Sequence, residues 1–439
     1  MTYSGRVANR EVEKLALTPR EWAVTLLIAA VQFTNILDFV IVMPLGPAFA
    51  KALGVAESNL GFVNGSYTAA AAVTGFAGSF FLDRFDRRKA LGVALIGLVA
   101  GTTLCGLASD FTLLLGARVL AGAFGGPATS LSFSIIADAI PARVRGRAMG
   151  TVMGAFSVAS VFGVPVGLWL SEHFGWRAPF FAVAGLGVVV GLSSIAALPP
   201  MRGHLEHRHA PVSFVALLQQ PLVRLSYTMT AVVMMAGFLV IPSIAPYLRL
   251  NFGFPQEHLK WAYGIGGVAS FFATQLGGRL VDRFGSFRVG TAGAVLVIAV
   301  VFTEFYLPWT SVPSWAVVGG FVAFMLANGI RNVSYNTLTS KVPGPEVRAR
   351  FQSLQSSVQH AASALAAWGS TRMMTTVPRA WDDATREPRM MVGMDRVALV
   401  SMGLSFLIPV LLWMVERSVK ARQRAAKVVP RVPSPATSA

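Results

Sequence analysis

Charge is scarce in this sequence, and cysteine is scarcer still. Only 13% of its 439 residues are charged, whereas hydrophobic residues make up 54%. A soluble domain carries about 25% charged residues, so a chain with this composition is solvated largely by lipid. The single cysteine, Cys105, excludes an intramolecular disulfide. The sequence also lacks a Gly-x4-Gly-Lys-Ser/Thr loop, so we expect neither ATP as the energy source nor an enzymatic activity.

Long apolar stretches take the place of the missing charge. Each is near or above the roughly 20 residues that a helix needs to cross a bilayer. The pattern predicts an all-α integral membrane protein with twelve transmembrane helices. The predicted segments are 22–48, 59–81, 89–108, 111–135, 148–171, 178–198, 222–248, 259–280, 288–308, 315–339, 350–373 and 395–415.

The basic residues are distributed unevenly between the two predicted membrane faces. Of the 37 Lys and Arg residues, 26 lie in the tails and loops of one face and nine in the loops of the other. The remaining two, Arg118 and Arg331, lie inside predicted helices. The positive-inside rule then predicts that both termini are cytoplasmic. This distribution explains the net charge of +17 without a nucleic-acid partner.

The two halves of the chain repeat each other. An Asp-Arg-Phe sequence occurs at Asp83 and again at Asp282, 199 positions later, and Pro47 and Pro246 are separated by the same 199 positions. Duplicated units of this kind in a membrane protein indicate a secondary transporter. We therefore predict two pseudo-symmetric six-helix bundles.

The repeat also sets the predicted domain boundaries. An N-terminal bundle with its cytoplasmic tail covers 1–198, and a central cytoplasmic loop covers 199–221. A C-terminal bundle with a basic, Pro-rich tail covers 222–439. The central loop contains His204, His207 and His209. A metal site there is a weak alternative on so short a signal, and we expect no metal or cofactor.

Several short motifs resemble those of the major facilitator superfamily, most closely its twelve-helix drug:proton antiporter family. The two Asp-Arg-Phe loops are similar to its loop 2–3 and loop 8–9 motif, 37–47 to its first-helix motif, and 118–122 to its helix 4 motif. Gly163, Pro165 and Gly167 resemble the helix-packing motif of exporters in helix 5. The resemblance implies a conformational latch that closes the cytoplasmic side in the outward-open state. Its residues would be Asp83, Arg84, Arg87, Arg88, Asp282 and Arg283, with Asp138 as an acceptor of ion pairs.

Asp38 is the predicted proton-coupling residue. It lies well inside the first apolar segment, where an ionised Asp costs about 2.5–3.5 kcal/mol and normally faces a cavity. At the repeat offset Asp38 aligns with Gly237, so the symmetric core does not require an acid there. Arg118 in the fourth segment is the expected electrostatic partner, and the family resemblance implies that it assists proton transfer. The alternatives are an Asp38 that only bonds a neighbouring helix and an Arg118 that snorkels to the interface.

A polar stripe in the second half is the predicted wall of the substrate cavity. Polar side chains recur at helical spacing in the tenth and eleventh segments, which is typical either of a cavity wall or of helix–helix contacts. Phe238 in the seventh segment is consistent with a wall of the cavity and equally with a lipid-facing position. The predicted cavity residues are Phe238, Asn328, Arg331, Asn332, Tyr335, Gln355 and Gln359.

Together these patterns predict a bacterial inner-membrane antiporter that expels small organic molecules in exchange for protons and is monomeric. An exporter of one metabolite, such as a sugar, nucleoside or amino acid, is the nearer alternative. A non-transporting membrane sensor is the more distant one, because a sensor needs neither Asp38 nor paired loop motifs.

Overall fold

The structure is a computed structural model that describes residues 17–82, 85–141, 144–201, 214–306, 314–344, 347–378 and 389–428. In the first half, six long helical segments follow one another. The fifth contains a π-helical turn, Ala159–Gly163. They are α1 (Pro19–Leu53), α2 (Leu60–Phe81), α3 (Arg87–Leu107), α4 (Phe111–Ala139), α5 (Arg145–Val158 and Val164–Phe174) and α6 (Ala178–Ala197).

Six further segments form the second half, preceded by the short helix Phe214–Gln219. The seventh is divided after Phe238, and the ninth ends in a π-helical turn. They are α7 (Pro221–Phe238 and Ile241–Phe252), α8 (Gln256–Phe284), α9 (Ser286–Val301 and Phe302–Tyr306), α10 (Ser314–Thr339), α11 (Arg348–Met373) and α12 (Met394–Val428). The all-α class predicted from the sequence is confirmed.

Local signals explain where several helices begin and end. Thr18 and Glu21 form a capping box at the start of α1, and Gly54 ends that helix in the left-handed conformation, with φ 66°. Asp110 caps α4, since its carboxylate accepts a 2.9 Å hydrogen bond from the amide of Leu113. That bond and one from Ser109 hold the pKa of Asp110 below its usual value.

Nine of the helices within the described residues are long and apolar enough to cross a membrane. The other three long helices are α2, α8 and α11. At Gly61 and Gly65, α2 packs closely on Thr371 and Trp368 of α11. Gly267 of α8 lies close to the backbone of Ser160 in α5. Each of these three helices therefore contacts the other half of the protein.

A short antiparallel hairpin between α11 and α12 was not predicted from the sequence. Thr375–Pro378 pairs with Arg389–Val392. The side chain of Asn251, near the end of α7, holds the second strand because it donates to the carbonyl of Met391 at 2.9 Å and accepts from its amide at 3.0 Å. The hairpin thus packs on the end of α7, far from the membrane face where α1 begins.

We call the face where α1 begins and α12 ends the terminal face, and the other the opposite face. A single buried apolar cluster joins both halves at the opposite face and includes Phe49, Leu60, Leu248, Phe254 and Met391. Toward the terminal face each half has its own separate cluster. Lys260 of α8 and Glu172 of α5 add an ion pair across the two halves at 2.5 Å. The two halves are therefore joined at the opposite face.

Candidate functional site

The centre of the first half contains a fully buried ion pair. Asp38 in α1 and Arg118 in α4 are both 0% exposed, and Nη1 of Arg118 donates to Oδ2 of Asp38 at 2.9 Å. The same nitrogen lies 3.3 Å from the carbonyl oxygen of Asp38. Arg118 therefore does not snorkel to the interface; its guanidinium neutralises the carboxylate in a region that water does not reach in this conformation.

Aromatic and amide side chains surround the pair. The guanidinium of Arg118 lies 4.4 Å from the ring centroid of Tyr67 in α2, in cation–π geometry. The Tyr67 hydroxyl donates to Asn35 at 2.8 Å, and the Asn35 amide donates to Thr129 at 2.8 Å. Because Asn35 is one helical turn before Asp38, the network holds the α1 backbone around the carboxylate in place.

Two glycines of α4 allow α2 to approach closely enough for these contacts. A Cβ atom added at Gly122 would lie 2.1 Å from the carbonyl oxygen of Tyr67. One added at Gly125 would lie 2.3 Å from the Tyr67 hydroxyl. Side chains at either position would push Tyr67 away from Arg118. Gly122, one turn after Arg118 in the helix 4 motif, therefore leaves the space in which Tyr67 contacts Arg118.

Thr102 in α3 is the second hydrogen-bonding partner of the carboxylate. Its hydroxyl oxygen lies 2.7 Å from Oδ1 of Asp38 and 2.9 Å from the carbonyl of Leu98. A hydroxyl has one proton and accepts through its lone pairs. It therefore donates to an ionised Asp38, or it donates to the carbonyl of Leu98 while accepting a hydrogen bond from a neutral Asp38. Both protonation states of Asp38 are satisfied by rotation of one hydroxyl.

The corresponding place in the second half contains a cation that has no carboxylate partner among the described residues. Arg331 in α10 is 2% exposed, and its Nη2 donates to the Asn328 side chain at 2.6 Å. Its Nε and Nη1 have no hydrogen-bond partner among the described residues. A Cβ at Gly237 of α7, the repeat equivalent of Asp38, would lie 3.3 Å from Nη2. A buried unpaired charge costs several kcal/mol, so this arrangement destabilises the folded protein.

The polar residues around Arg331 are only partly satisfied. Tyr335, one turn further along α10, is buried and accepts a 3.0 Å hydrogen bond from Gln359 of α11. The side-chain oxygens of Asn332 and Gln355 are buried without partners among the described residues. The predicted stripe thus contains one helix–helix contact, Tyr335–Gln359, and several groups that have no partner in the part of the chain that the structure describes.

Phe238 connects the two halves at the level of Asp38 and Gly237. Its ring centroid lies 5.8 Å from that of Phe39, whose ring also packs on Tyr67. Phe39 follows Asp38, and Phe238 follows Gly237. The two positions related by the repeat therefore lie on either side of one aromatic contact. Phe238 is half-buried by protein, which places it at the junction of the halves.

The helix 5 motif packs against the helix that carries Asp38. A Cβ at Gly163 would lie 2.6 Å from Leu37, and one at Gly167 would lie 2.1 Å from Ile41. Pro165 is next to the π-helical turn and approaches Gly264 of α8. The two glycines also border an apolar groove between α1, α5 and α6. Small side chains here let α5 contact α1 closely beside Asp38.

The predicted latch is described only in part. Asp83 and Arg84 lie outside the described residues, as does the central-loop histidine cluster, His204, His207 and His209. Arg87 forms an ion pair with Asp138 of α4. This contact stays within the first half.

The remaining latch residues make no contact between the halves among the described residues. Arg88 is half-buried, and its backbone amide donates to the capping side chain of Asp86 at 2.9 Å. In the second copy, Asp282 and Arg283 are exposed.

Sequence reasoning missed Thr102, Tyr67 and Asn35. Asn35 was detectable because it lies three residues before Asp38 and so shares its helix face. Thr102 and Tyr67 come from α3 and α2, and neither stands out from other hydroxyl residues in apolar segments. Only the packing of four helices places the Thr102 hydroxyl on the Asp38 carboxylate and places Tyr67 in contact with both Arg118 and Asn35.

Comparisons with known proteins agree with this architecture. The purine ribonucleoside efflux pump NepI of Escherichia coli (strain K12) is 30% identical over 289 residues, which cover 65% of this chain and 71% of that protein. The pump of the same name from Shigella sonnei (strain Ss046) has the same identity and coverage.

Solved structures show the same fold. A D-xylose-proton symporter has a TM-score of 0.71 at 17% identity, over 89% of this chain and 97% of that one. A partially occluded, inward-open structure of the xylose transporter XylE from E. coli has a TM-score of 0.70 at 15% identity, over 90% and 98%. Residues 28–367 match the sequence profile of the Major Facilitator Superfamily. With twelve helices in repeated halves and a charged centre, this multi-pass membrane chain belongs to the Major Facilitator Superfamily of small-molecule transporters.

Proposed function

We propose that the protein exports a small organic molecule in exchange for protons, and that Asp38 carries the proton. The observation that supports this most directly is the Asp38–Arg118 pair, a titratable carboxylate sealed in the centre of a membrane protein at 0% exposure. Charged residues at this depth are costly and usually functional. The efflux activity named for the 30% identical relatives supports the direction of transport.

Arg118 and Thr102 supply the two states that proton exchange needs. The guanidinium stabilises the ionised carboxylate, and the Thr102 hydroxyl accepts from the neutral one. Protonation of Asp38 removes the attraction to Arg118 and leaves a neutral acid that tolerates the membrane interior. Deprotonation restores the pair, so the charge state of Asp38 is coupled to the position of α1 relative to α4.

Alternating access follows from the unequal packing of the two faces. The joined opposite face and the separate terminal-face clusters support a conformation that opens toward the terminal face, with Asp38 and Arg118 occluded. In the proposed orientation the terminal face is cytoplasmic, and the protein is a monomer in the bacterial inner membrane. The bundles 1–198 and 222–439 move relative to each other as rigid bodies. Rocking the halves about the Phe39–Phe238 contact would expose the site to the other side.

The test is proton release from purified, reconstituted protein, measured with a pH-sensitive dye as compounds are added. Substrate binding to wild-type protein should release protons, and Asp38→Asn should abolish the release while the protein stays folded. Asp110→Asn, which removes an exposed cap carboxylate instead, is the matched control and should behave as wild type. Equal release from Asp38→Asn and wild type would disprove the role of Asp38.

A second candidate function is the export of one metabolite class, the purine nucleosides. The activity for which the relatives are named favours it. The two candidates differ in breadth: a nucleoside exporter should respond to nucleosides alone, whereas a multidrug exporter should respond to unrelated hydrophobic compounds as well. The same proton-release assay with both sets of compounds separates them.

A further inference from the structure

We infer that Arg331 recognises the transported molecule, and that it selects substrates that offer hydrogen-bond acceptors and carry no positive charge. The inference rests on the proposed transport function and names its substrate class. It begins from an asymmetry between the halves. The repeat places Asp38 in the first half and Gly237 in the second, on either side of the Phe39–Phe238 contact. Asp38 neutralises the buried Arg118, whereas Arg331 has no acidic partner among the described residues.

The unused donors of Arg331 define the chemistry that would satisfy it. Nε and Nη1 are buried without partners in the described part of the chain, and Nη2 has only the neutral side chain of Asn328. A guanidinium accepts no hydrogen bonds and is always charged in proteins. Its missing partners must therefore be acceptor atoms, such as carbonyl oxygens, ring nitrogens or a carboxylate. The half-buried Asn332 beside it has an unpartnered oxygen that suits a donor on the same substrate.

No protein carboxylate is placed to fill this role among the described residues. Glu304 of α9 is half-buried, but its carboxylate packs on Gly320 near the opposite-face end of α10. Asp38 is already paired with Arg118. A cationic substrate would bring a second positive charge to an uncompensated guanidinium, which low-dielectric surroundings penalise strongly. The second half of the site therefore disfavours cations, unlike a site built around an unpaired acid.

Purine nucleosides provide a sharp test of this chemistry. Arg binds the O6 and N7 acceptors of guanine in a bidentate manner, whereas Gln and Asn suit the N6 donor and N7 acceptor of adenine. With Arg331 intact, we expect guanosine to bind more tightly than adenosine. Arg331→Gln should weaken guanosine binding by roughly tenfold or more and leave adenosine affinity unchanged or improved. Arg331→Lys keeps the charge but not the planar guanidinium, so its guanosine affinity should lie between those of the wild type and Arg331→Gln.

A second variant tests the inference without removing Arg331. Gly237→Asp would place a carboxylate beside Nη2, as Asp38 does for Arg118. We expect it to raise the melting temperature, because the guanidinium gains a partner, and to abolish guanosine binding, because the partner occupies the site. Gly237→Asn is the matched control: it has the same size and no charge, so it should give a smaller gain in melting temperature and a partial loss of binding.

The experiment measures binding and proton release for guanosine, salicylate and tetraphenylphosphonium with wild-type protein and these variants. The inference predicts responses to guanosine or salicylate that depend on Arg331, and none to tetraphenylphosphonium. Salicylate alone would identify a carboxylate as the acceptor, and guanosine alone an oxo-purine. Proton-coupled transport of tetraphenylphosphonium with an unaffected Arg331→Gln variant would overturn this inference and leave the proposed function standing. Absence of proton release with all three compounds would overturn both.

Discussion

Removing the charge of Asp38 should destabilise the protein through Arg118, and the structure sets the size of the effect. In Asp38→Asn the guanidinium stays buried without a counter-charge, and its Nε and Nη2 already have no hydrogen-bond partner among the described residues. Breaking a buried pair on one side costs about 3–5 kcal/mol. The Asn amide oxygen retains one hydrogen bond worth about 1 kcal/mol, so we expect a loss of about 2–4 kcal/mol in the free energy of unfolding.

The double variant Asp38→Asn/Arg118→Met isolates this cause. It removes the orphaned charge as well, so it should be more stable than Asp38→Asn alone, with a loss of about 0–2 kcal/mol. Cys105, the only cysteine, is 0% exposed. Its reaction with a maleimide dye during denaturation therefore reports global unfolding without any engineered probe. Neither variant should couple substrate binding to proton release.

Two results would refute this reasoning. If the double variant were less stable than Asp38→Asn, Arg118 would stabilise the fold through contacts other than its pair with Asp38, such as its packing on Tyr67. If Asp38→Asn lost less than about 1 kcal/mol, Arg118 would be solvated or paired in a way that the buried geometry does not allow.

Three further predictions concern the ion pair at the opposite face, the contact of α5 with α1, and the hydroxyl beside Asp38. Charge reversal at Glu172 or Lys260 should weaken the contact between the halves at the opposite face by about 0.2–1 kcal/mol. Spin-label distances between α5 and α8 should then lengthen, and reversing both charges together should restore them. Gly167→Val should cost about 1–3 kcal/mol through overpacking against α1, whereas Gly154→Ala in the same helix, where no atom lies within 4 Å of the added Cβ, should cost nothing; equal effects would exclude the steric explanation. Thr102→Val should impair proton release and Thr102→Ser should retain it, because only the hydroxyl serves both states of Asp38; normal release from Thr102→Val would remove that role.

Much of the fold could be read from the sequence, because lipid allows few solutions. Without water to satisfy backbone groups, an apolar stretch of about 20 residues must become a helix, and twelve such stretches were apparent. The repeat offset predicted the paired halves and aligned Asp38 with Gly237. The hairpin at Thr375–Pro378 and Arg389–Val392 could not be predicted, since two four-residue strands in a loop between helices carry no constraint from the membrane.

The sequence by itself determined that this is a twelve-helix membrane protein of repeated halves with two arginines and one acid deep in its apolar segments. Tertiary structure alone decided their partners. Arg118 pairs with Asp38 across 80 residues of chain, whereas Arg331 lies beside Gly237 and has no carboxylate partner among the described residues. Charge position follows from local sequence, but charge pairing depends on which helix faces lie together, and no local pattern contains that information.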